Sequence, residues 1–276
     1  MLQSQRFIDD LIWTINSPLL VDLTKLGVLH PIQESEIDKA RLTDFMQKRI
    51  TTRVGRYFEN LVHFWIACHQ GHEVIAHSLP IYEGKRTLGE IDFVFRDDQG
   101  ELNHWEVACK FYLQNDKDGE FIGPNSRDTL RNKLARMVEH QLPLGKTQFP
   151  EIAKQHTLIK GLAFYHWQNT KPLSLGFLNR LHLNGIWMRA HESQNYLTQA
   201  DGLYRVLKKP HWLAEERPDN AAEGPWQGHQ TASMVDAHFA RDSRPLLLCK
   251  LPSDKDTLPE IARVFIVNNN WPEPEK

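Results

Sequence analysis

Cysteine is scarce in this chain of 276 residues, which contains only Cys68, Cys109 and Cys249. They lie far apart and form no CxxC pair, which argues against a disulfide framework and a zinc knuckle and is typical of a reducing compartment. No run approaches the roughly 20 apolar residues of a membrane-spanning helix. Asp9 and Asp10 also lie where a signal peptide needs an apolar centre. We therefore expect a cytoplasmic protein that makes no membrane contact.

An excess of charge of one sign is also missing. The formal net charge is -2, so no overall field attracts nucleic acid, and a contact with a polyanion would require a local basic patch. The sequence contains no GxxxxGK[ST], GxGxxG, HExxH or GxSxG motif. It therefore gives no support to a nucleotide-hydrolysing, dinucleotide-binding, zincin or serine-hydrolase function.

Hydrophobic periodicity predicts an alternation of helices and strands. The predicted order is a short N-terminal helix, a helix ended by Gly71, three strands, a helix that begins at Ser126 and one central strand. These later elements lie, in order, at residues 37–70, 73–82, 88–95, 104–113, 126–142 and 157–167. Pro80 predicts that the first strand lies at a sheet edge or ends near this residue.

The C-terminal part has a weaker pattern. It predicts a helix over 173–182, strands over 185–190, 245–251 and 263–268, and a long polar loop over 215–233. The predicted fold is therefore α/β, with a mixed central sheet flanked by helices. We predict an N-terminal docking segment over 1–36, a core over 37–170 and a C-terminal extension over 171–276 that packs on the core.

Acidic residues occupy strand positions where packing residues are expected. Because side chains alternate between the two faces of a strand, Glu90 and Asp92 share one face, and Glu106 and Lys110 share a face of the next strand. A short acidic turn joins the strands, so Asp92 and Glu106 are expected to lie side by side. Two close carboxylates repel unless a cation or a proton lies between them, and oxygen ligands of this kind suit Mg²⁺ or Mn²⁺. The pattern predicts metal-assisted cleavage of a phosphodiester, with Lys110 stabilising the phosphate charge.

The sequence Gly89-Glu90-Ile91-Asp92, followed by Glu106, resembles the signature of the PD-(D/E)XK nucleases. This resemblance implies a restriction-endonuclease-like αβββαβ core with N- and C-terminal additions. It also implies that Glu59 on the first helix joins Asp92 and Glu106 as a metal ligand.

One departure from that pattern concerns the lysine. Ala108 stands two residues after Glu106, where the superfamily has its lysine, and Lys110 lies one pleat further on. Three alternatives remain open. Lys110 reaches back towards the site, over a distance that a bulge near Cys109 would shorten. Otherwise a residue of the next helix, such as Lys133 or Gln141, supplies the missing group, or the site binds without cleaving.

Longer sequence segments show a second resemblance. The chain resembles, along most of its length, a bacterial family known only as domain of unknown function 1853. The matching phrases are VGRYFE at 54–59, RTLGEIDF at 86–93, HWEVACKFYL at 104–113 and GPNSRDTLRNKLARMVEHQL at 123–142. This resemblance implies a nuclease-like fold and no established activity.

Basic residues on the two predicted flanking helices are candidates for phosphate contacts, unless they form ordinary solvated helix faces. They are Arg53, Arg56, Arg127, Arg131 and Lys133. Three hypotheses follow for the chain. It is a Mg²⁺-dependent nuclease, a catalytically inactive nuclease-like module that binds nucleic acid or protein, or a fold whose acids form internal salt bridges, such as Glu59 with Arg56 or Arg86. The sequence specifies neither DNA nor RNA as the substrate, and no oligomeric state.

Overall fold

The computed structural model describes residues 2–23, 29–169, 176–199, 202–216, 225–252, 260 and 262–273. The helices are α1 (Leu2–Asn16), α2 (Lys39–Gln47), α3 (Val54–Phe64), α4 (Leu130–Arg136), α5 (Leu142–Gln148), α6 (Ala190–Gln199) and α7 (Gly228–Phe239). The strands are β1 (Glu73–Glu83), β2 (Arg86–Arg96), β3 (Leu102–Gln114), β4 (Phe121–Ile122), β5 (Lys154–His166), β6 (Leu183–Arg189), β7 (Leu203–Val206), β8 (Trp226–Gln227), β9 (Leu246–Leu251) and β10 (Ala262–Val267). None of the helices in these ranges combines the length and apolar character needed to cross a membrane.

The protein is α/β, as the sequence predicts, and its sheet is mixed. Ten strands are ordered β1-β2-β3-β5-β6-β10-β9-β7-β8, with β4 paired to β3. The chain divides into two compact units. Unit 1 comprises residues 1–110, 131–161 and 175–182, and unit 2 comprises 111–130, 162–174 and 183–276. The strands β3 and β5 contribute residues to both units.

The three predicted strands of the core are confirmed. β1 pairs with β2, and β2 with β3, in antiparallel fashion. β1 stands first in the strand order, in agreement with the edge position that Pro80 predicts. β3 and β5 run parallel, because Ala153 N donates to Leu102 O at 2.9 Å and Gly161 lies against Lys110 O further along both strands.

The predicted helix over 37–70 is two helices, and the prediction of one continuous helix is wrong. Residues 48–53 lie outside both α2 and α3. This break contains the consecutive β-branched residues Ile50, Thr51 and Thr52, which are poor helix formers, and Thr51 Oγ1 accepts from Arg53 N at 3.1 Å. α3 continues as a π-helical turn, Trp65–His69, and the chain turns at Gly71, whose φ is +75°. The predicted glycine end of the helix is therefore confirmed.

The N-terminal helix α1 packs against α3 within unit 1. The rings of Phe7 and Tyr57 lie 6.3 Å apart, and Tyr57 Oη donates to the buried Asp10 carboxylate at 2.8 Å. At the other end of α1, the buried Lys160 Nζ on β5 donates to Ile15 O at 3.1 Å. The contact with Lys160 satisfies a carbonyl in the last turn of the helix, where carbonyls have no partner within the helix.

The helix that follows β3 begins later than predicted. Ser126 has a φ of +58° and its N–H donates to Gly123 O at 2.8 Å, so it belongs to a turn and does not cap the helix. α4 begins at Leu130, and a π-helical turn, Met137–Gln141, separates it from α5. Pro143 lies in the first turn of α5, where its missing N–H is tolerated.

Unit 2 has its own core, which includes Met188 on β6, Leu248 on β9 and Val264 on β10, all fully buried. The three strands predicted in this region are confirmed. The predicted helix over 173–182 is wrong for 176–182, which form turns, while 173–175 lie outside the described residues. The predicted loop over 215–233 is wrong from Trp226, because β8 occupies Trp226–Gln227 and α7 begins at Gly228. Its residues 217–224 lie outside the described ranges.

Candidate functional site

Asp92 and Glu106 lie side by side on the β2–β3 hairpin, as the sequence predicts. Phe93 is paired with Trp105, so the antiparallel register places Asp92 opposite Glu106. Asp92 Oδ2 accepts from Val107 N at 2.8 Å, which ties the carboxylate to the edge of β3. Glu106 has no exposed surface, whereas Asp92 is partly buried and Glu90 is exposed on the same strand. The pair therefore forms a buried acidic site with its open side towards β2.

A chain of hydrogen bonds through His104 and Gln155 holds one oxygen of Glu106. Gln155 Nε2 donates to Leu142 O at 2.5 Å and lies 2.9 Å from His104 Nδ1. Because an amide nitrogen only donates, His104 Nδ1 accepts and the ring proton is assigned to Nε2. That proton is then donated to Glu106 Oε1 at 2.8 Å. Both His104 and Gln155 lie outside the predicted set of site residues.

The helical segment α4–α5 covers the acidic pair and reaches the other oxygen of Glu106. Gln141 Nε2 donates to Glu106 Oε2 at 2.5 Å, and Lys133 Nζ donates to Gln141 Oε1 at 3.1 Å. α5 packs closely on His104 because its residue at that point is glycine. A Cβ on Gly145 would lie 2.1 Å from His104 Nδ1.

The two carboxyl groups are held in an environment that disfavours their charge. Burial raises the pKa of Glu106 to about 8, and a charge on nearby Glu90 adds to the rise. Burial, together with the neighbouring charge of Glu106, raises the pKa of Asp92 well above its usual range. Burial lowers the pKa of His104 to about 4, so its contact with Glu106 is a hydrogen bond from a neutral ring. The pair therefore retains a proton at neutral pH unless a cation is supplied.

Lys133 is the lysine whose charge acts most strongly on both acids. It stabilises the charged forms of Asp92 and Glu106, while burial lowers its own pKa. Lys110 lies close enough to Lys133 for the two charges to repel. The assignment of Lys110 as the site lysine stays a prediction, and the geometry favours the alternative on the next helix.

Glu59 is engaged in a separate set of contacts. Its Oε1 accepts from Arg56 Nη1 and from Ser78 Oγ, each at 2.5 Å, and lies 3.0 Å from His77 Nε2. Although burial opposes ionisation, the contacts with His77, Ser78 and Arg56 lower the pKa of Glu59 to about 2. Of the two partners that the salt-bridge hypothesis names for Glu59, Arg56 is the one that forms the ion pair.

The three predicted carboxylates do not form one metal cluster. Among the residues that the structure describes, no group of three or more His, Cys, Asp or Glu side chains is placed to hold a metal ion. Glu59 is paired with the Arg56 guanidinium, while Asp92 and Glu106 lie opposite one another on the hairpin. The charge of Glu59 still acts on Asp92 and raises its pKa.

Ser78, His77 and Glu59 have the residue types of a hydrolase triad but not its geometry. In such a triad the histidine uses different nitrogens for the hydroxyl and the acid. Here His77 Nε2 lies 3.2 Å from Ser78 Oγ and 3.0 Å from Glu59 Oε1, so one nitrogen faces both groups. Ser78 also has a φ of +49°, in a strand position opposite Asp92. The backbone strain there lies beside the acidic pair.

The predicted phosphate-contacting residues divide between the two units. Arg53, Arg56, Arg131 and Lys133 belong to unit 1 and Arg127 to unit 2. All except Lys133 are exposed, and Arg56 is paired with Glu59. Lys133 is held at the acidic pair by a hydrogen bond to Gln141, which itself contacts Glu106.

The fold and the site define an α/β protein with a buried acidic pair on a hairpin, backed by histidine and glutamine and covered by a lysine-bearing helix. The chain belongs to the family described as domain of unknown function (DUF1853), which matches residues 9–267. Neither the curated proteins nor the solved structures contain a significant match to it.

Proposed function

We propose that the protein is a metal-dependent nuclease that hydrolyses phosphodiester bonds of DNA or RNA. The observation that carries the proposal is the placement of Asp92 opposite Glu106 beneath the helix that supplies Lys133. The order of elements in unit 1 supports it. α3 precedes the antiparallel β1–β3, the α4–α5 segment follows, and β5 returns parallel to β3. This order agrees with an αβββαβ core of the PD-(D/E)XK type.

The donor set fits Mg²⁺ or Mn²⁺. Magnesium is commonly held by one or two carboxylates, with substrate phosphate and water completing its shell. Asp92 and Glu106 are the residues that would hold it, and their raised pKa values show that the charge of Lys133 does not fully compensate the pair. When bound, the ion would act as a Lewis acid on the phosphate and lower the pKa of an attacking water.

The remaining residues of the site have distinct roles in this proposal. Lys133 places positive charge beside the acidic pair, where it would stabilise the developing charge on a phosphate. Gln141 links Lys133 to Glu106 and fixes the separation of the two groups. His104, supported by Gln155, holds Glu106 in one orientation. Nucleic acid is the proposed partner, and the three free cysteines suit a cytoplasmic location.

A second function has its own support. A nuclease-like module that binds nucleic acid or protein without cleaving agrees with Ala108 at the usual lysine position. It also agrees with the contact of Arg56 on Glu59, which neutralises the third acid of the expected ligand set.

A cleavage assay distinguishes the two functions. Purified protein is incubated with single-stranded DNA, duplex DNA and RNA, each with Mg²⁺, Mn²⁺ or chelator. The nuclease proposal predicts metal-dependent cleavage that falls by at least about a hundredfold in Asp92→Asn, because a ligand and a charge are both lost. Lys133→Met should lose at least about tenfold in rate, and Lys110→Met much less. Glu83→Gln, at the exposed end of β1, is the matched control and should cleave like the wild type.

The alternative function gives the opposite result. It predicts saturable nucleic-acid binding, measured by fluorescence anisotropy, with no turnover by the wild type. Cleavage that survives in a clean preparation of Asp92→Asn would show that the activity does not belong to this site.

A further inference from the structure

Unit 2 contains a polar cavity of about 300 Å³. It lies where two neighbouring parallel strands end, since Gln114 is the last residue of β3 and His166 is the last residue of β5. In open α/β sheets, ligands bind outside the carboxyl ends of such strands. The position of this cavity is therefore one at which α/β proteins commonly bind ligands.

The residues around the cavity are almost all hydrogen-bonding and uncharged. Four of them carry carboxamides, one a carboxylate and one an imidazole: Gln114, Asn115, Gln168, Asn169, Asp116 and His166. A carboxamide offers two donors and an acceptor with two lone pairs. No lysine, arginine or large apolar side chain appears among the described lining residues. The lining is suited to a neutral, polar ligand.

The two titratable residues of the lining, Asp116 and His166, are each paired with a charged residue outside it. Asp116 forms a bidentate pair with Arg189, with N···O distances of 3.1 and 3.2 Å. His166 Nε2 lies 2.9 Å from Glu192 Oε1, and Glu192 Oε2 accepts from Arg189 N at 2.7 Å. A phosphate would therefore meet a carboxylate and no unpaired arginine in this lining.

We propose that this cavity binds an uncharged polyhydroxylated ring, a sugar. Each sugar hydroxyl both donates and accepts, which matches a lining of carboxamides with one paired carboxylate. Two sources share this chemistry, a free monosaccharide and the ribose of a nucleoside. The proposal is independent of the nuclease function, because every residue it uses belongs to unit 2.

The test is a ligand titration of the full chain, in which binding is measured by NMR and calorimetry. The probes are methyl β-D-ribofuranoside, adenosine, 2′,3′-dideoxyadenosine and inorganic phosphate. Gln168→Ala removes an exposed lining residue, and Gln194→Ala, an exposed glutamine of α6 outside the lining, is its matched control. Asp92→Asn is included to separate this site from the acidic pair.

The expected result is saturable binding of the ribofuranoside, of adenosine or of both, weakened at least fivefold in Gln168→Ala and unchanged in Gln194→Ala and Asp92→Asn. Adenosine binding at least tenfold tighter than the ribofuranoside identifies a nucleoside as the source, and equal affinity identifies a free sugar. The proposal is overturned if dideoxyadenosine binds as well as adenosine, if phosphate competes, if Gln168→Ala binds normally, or if neither sugar probe saturates.

Discussion

Replacing Glu106 with glutamine should change how the stability of the metal-free protein depends on pH. The folded-state pKa of Glu106 is raised from 4.5 to about 8 because the side chain is buried. A raised pKa means that the folded state holds the proton more tightly than the unfolded state does. Its stabilising contribution is therefore complete below about pH 4.5 and is lost as the pH rises towards 8.

The size of the effect follows from the two pKa values. Between pH 6.0 and 8.5, linkage gives a loss of about 2.5 kcal/mol in the free energy of unfolding from Glu106 alone. Glu106→Gln removes this titration. The oxygen of the new amide can still accept the hydrogen bond from His104. Its nitrogen, however, would face the Gln141 nitrogen, and both are donors, so the Gln141 carboxamide must rotate by about half a turn to present its oxygen. That rearrangement lowers the free energy of unfolding by the same amount at every pH. This cost cancels when the stabilities at the two pH values are subtracted.

The assay is denaturant unfolding with chelator present, followed by tryptophan fluorescence at pH 6.0 and 8.5. The wild type should lose about 2.5 kcal/mol more than Glu106→Gln over this interval. Glu83→Gln, an exposed acid on β1, should behave like the wild type. Saturating Mg²⁺ should reduce the loss in the wild type only, because an ion between the carboxylates favours their charged forms.

A parallel loss in the wild type and Glu106→Gln would contradict this reasoning. It would mean that Glu106 titrates normally in the folded state, and that the hydrogen bonds from His104 and Gln141 outweigh the cost of its burial. The acidic pair would then be a solvated or fully compensated one, and the case for a metal there would lose its main support.

Four further predictions concern packing and metal binding. Gly145→Ala should destabilise by about 2 to 4 kcal/mol in thermal unfolding, because its Cβ would lie 2.1 Å from His104 Nδ1. Gly55→Ala in α3, with open space around its Cβ, should instead stabilise by up to about 1 kcal/mol. Lys160→Met should expose α1 to faster limited proteolysis, because it removes the buried ammonium that binds the carbonyls at the end of that helix. Mn²⁺ binding at pH 7 should release about one proton from Glu106, whose pKa is about 8, and calorimetric heats that are independent of the buffer would contradict this.

The central contact of the site could be predicted from the sequence because it depends only on local geometry. Alternation along a strand and a short turn are enough to place Asp92 beside Glu106. The same rule places His104 on the Glu106 face, since it lies two residues earlier. The Arg56–Glu59 pair likewise follows from the three-residue spacing on a helix, which brings the two side chains together.

The rest of the site depends on how separate elements pack. Gln155 reaches His104 because β5 runs parallel to β3 with Ala153 beside Leu102, a register that periodicity does not reveal. Lys133 reaches the acids because the π-helical turn before α5 sets the position of Gln141. The break between α2 and α3 is not predicted, because the helical spacing of apolar residues is given more weight than the β-branched residues at the break.

The three acids of the predicted ligand set, Glu59, Asp92 and Glu106, differ in how their charge is balanced, and this difference bears on the salt-bridge hypothesis. Glu59 has its own arginine, a histidine and a hydroxyl, and its pKa is lowered to about 2. Asp92 and Glu106 share one lysine, and that lysine is itself destabilised as a cation by burial. Burial of charges that are left without full compensation costs stability, and sites of this kind are where functional groups concentrate. Internal salt bridging therefore accounts for Glu59 and leaves the pair on the β2–β3 hairpin unexplained. A divalent cation between the two carboxylates would account for both their proximity and their raised pKa values.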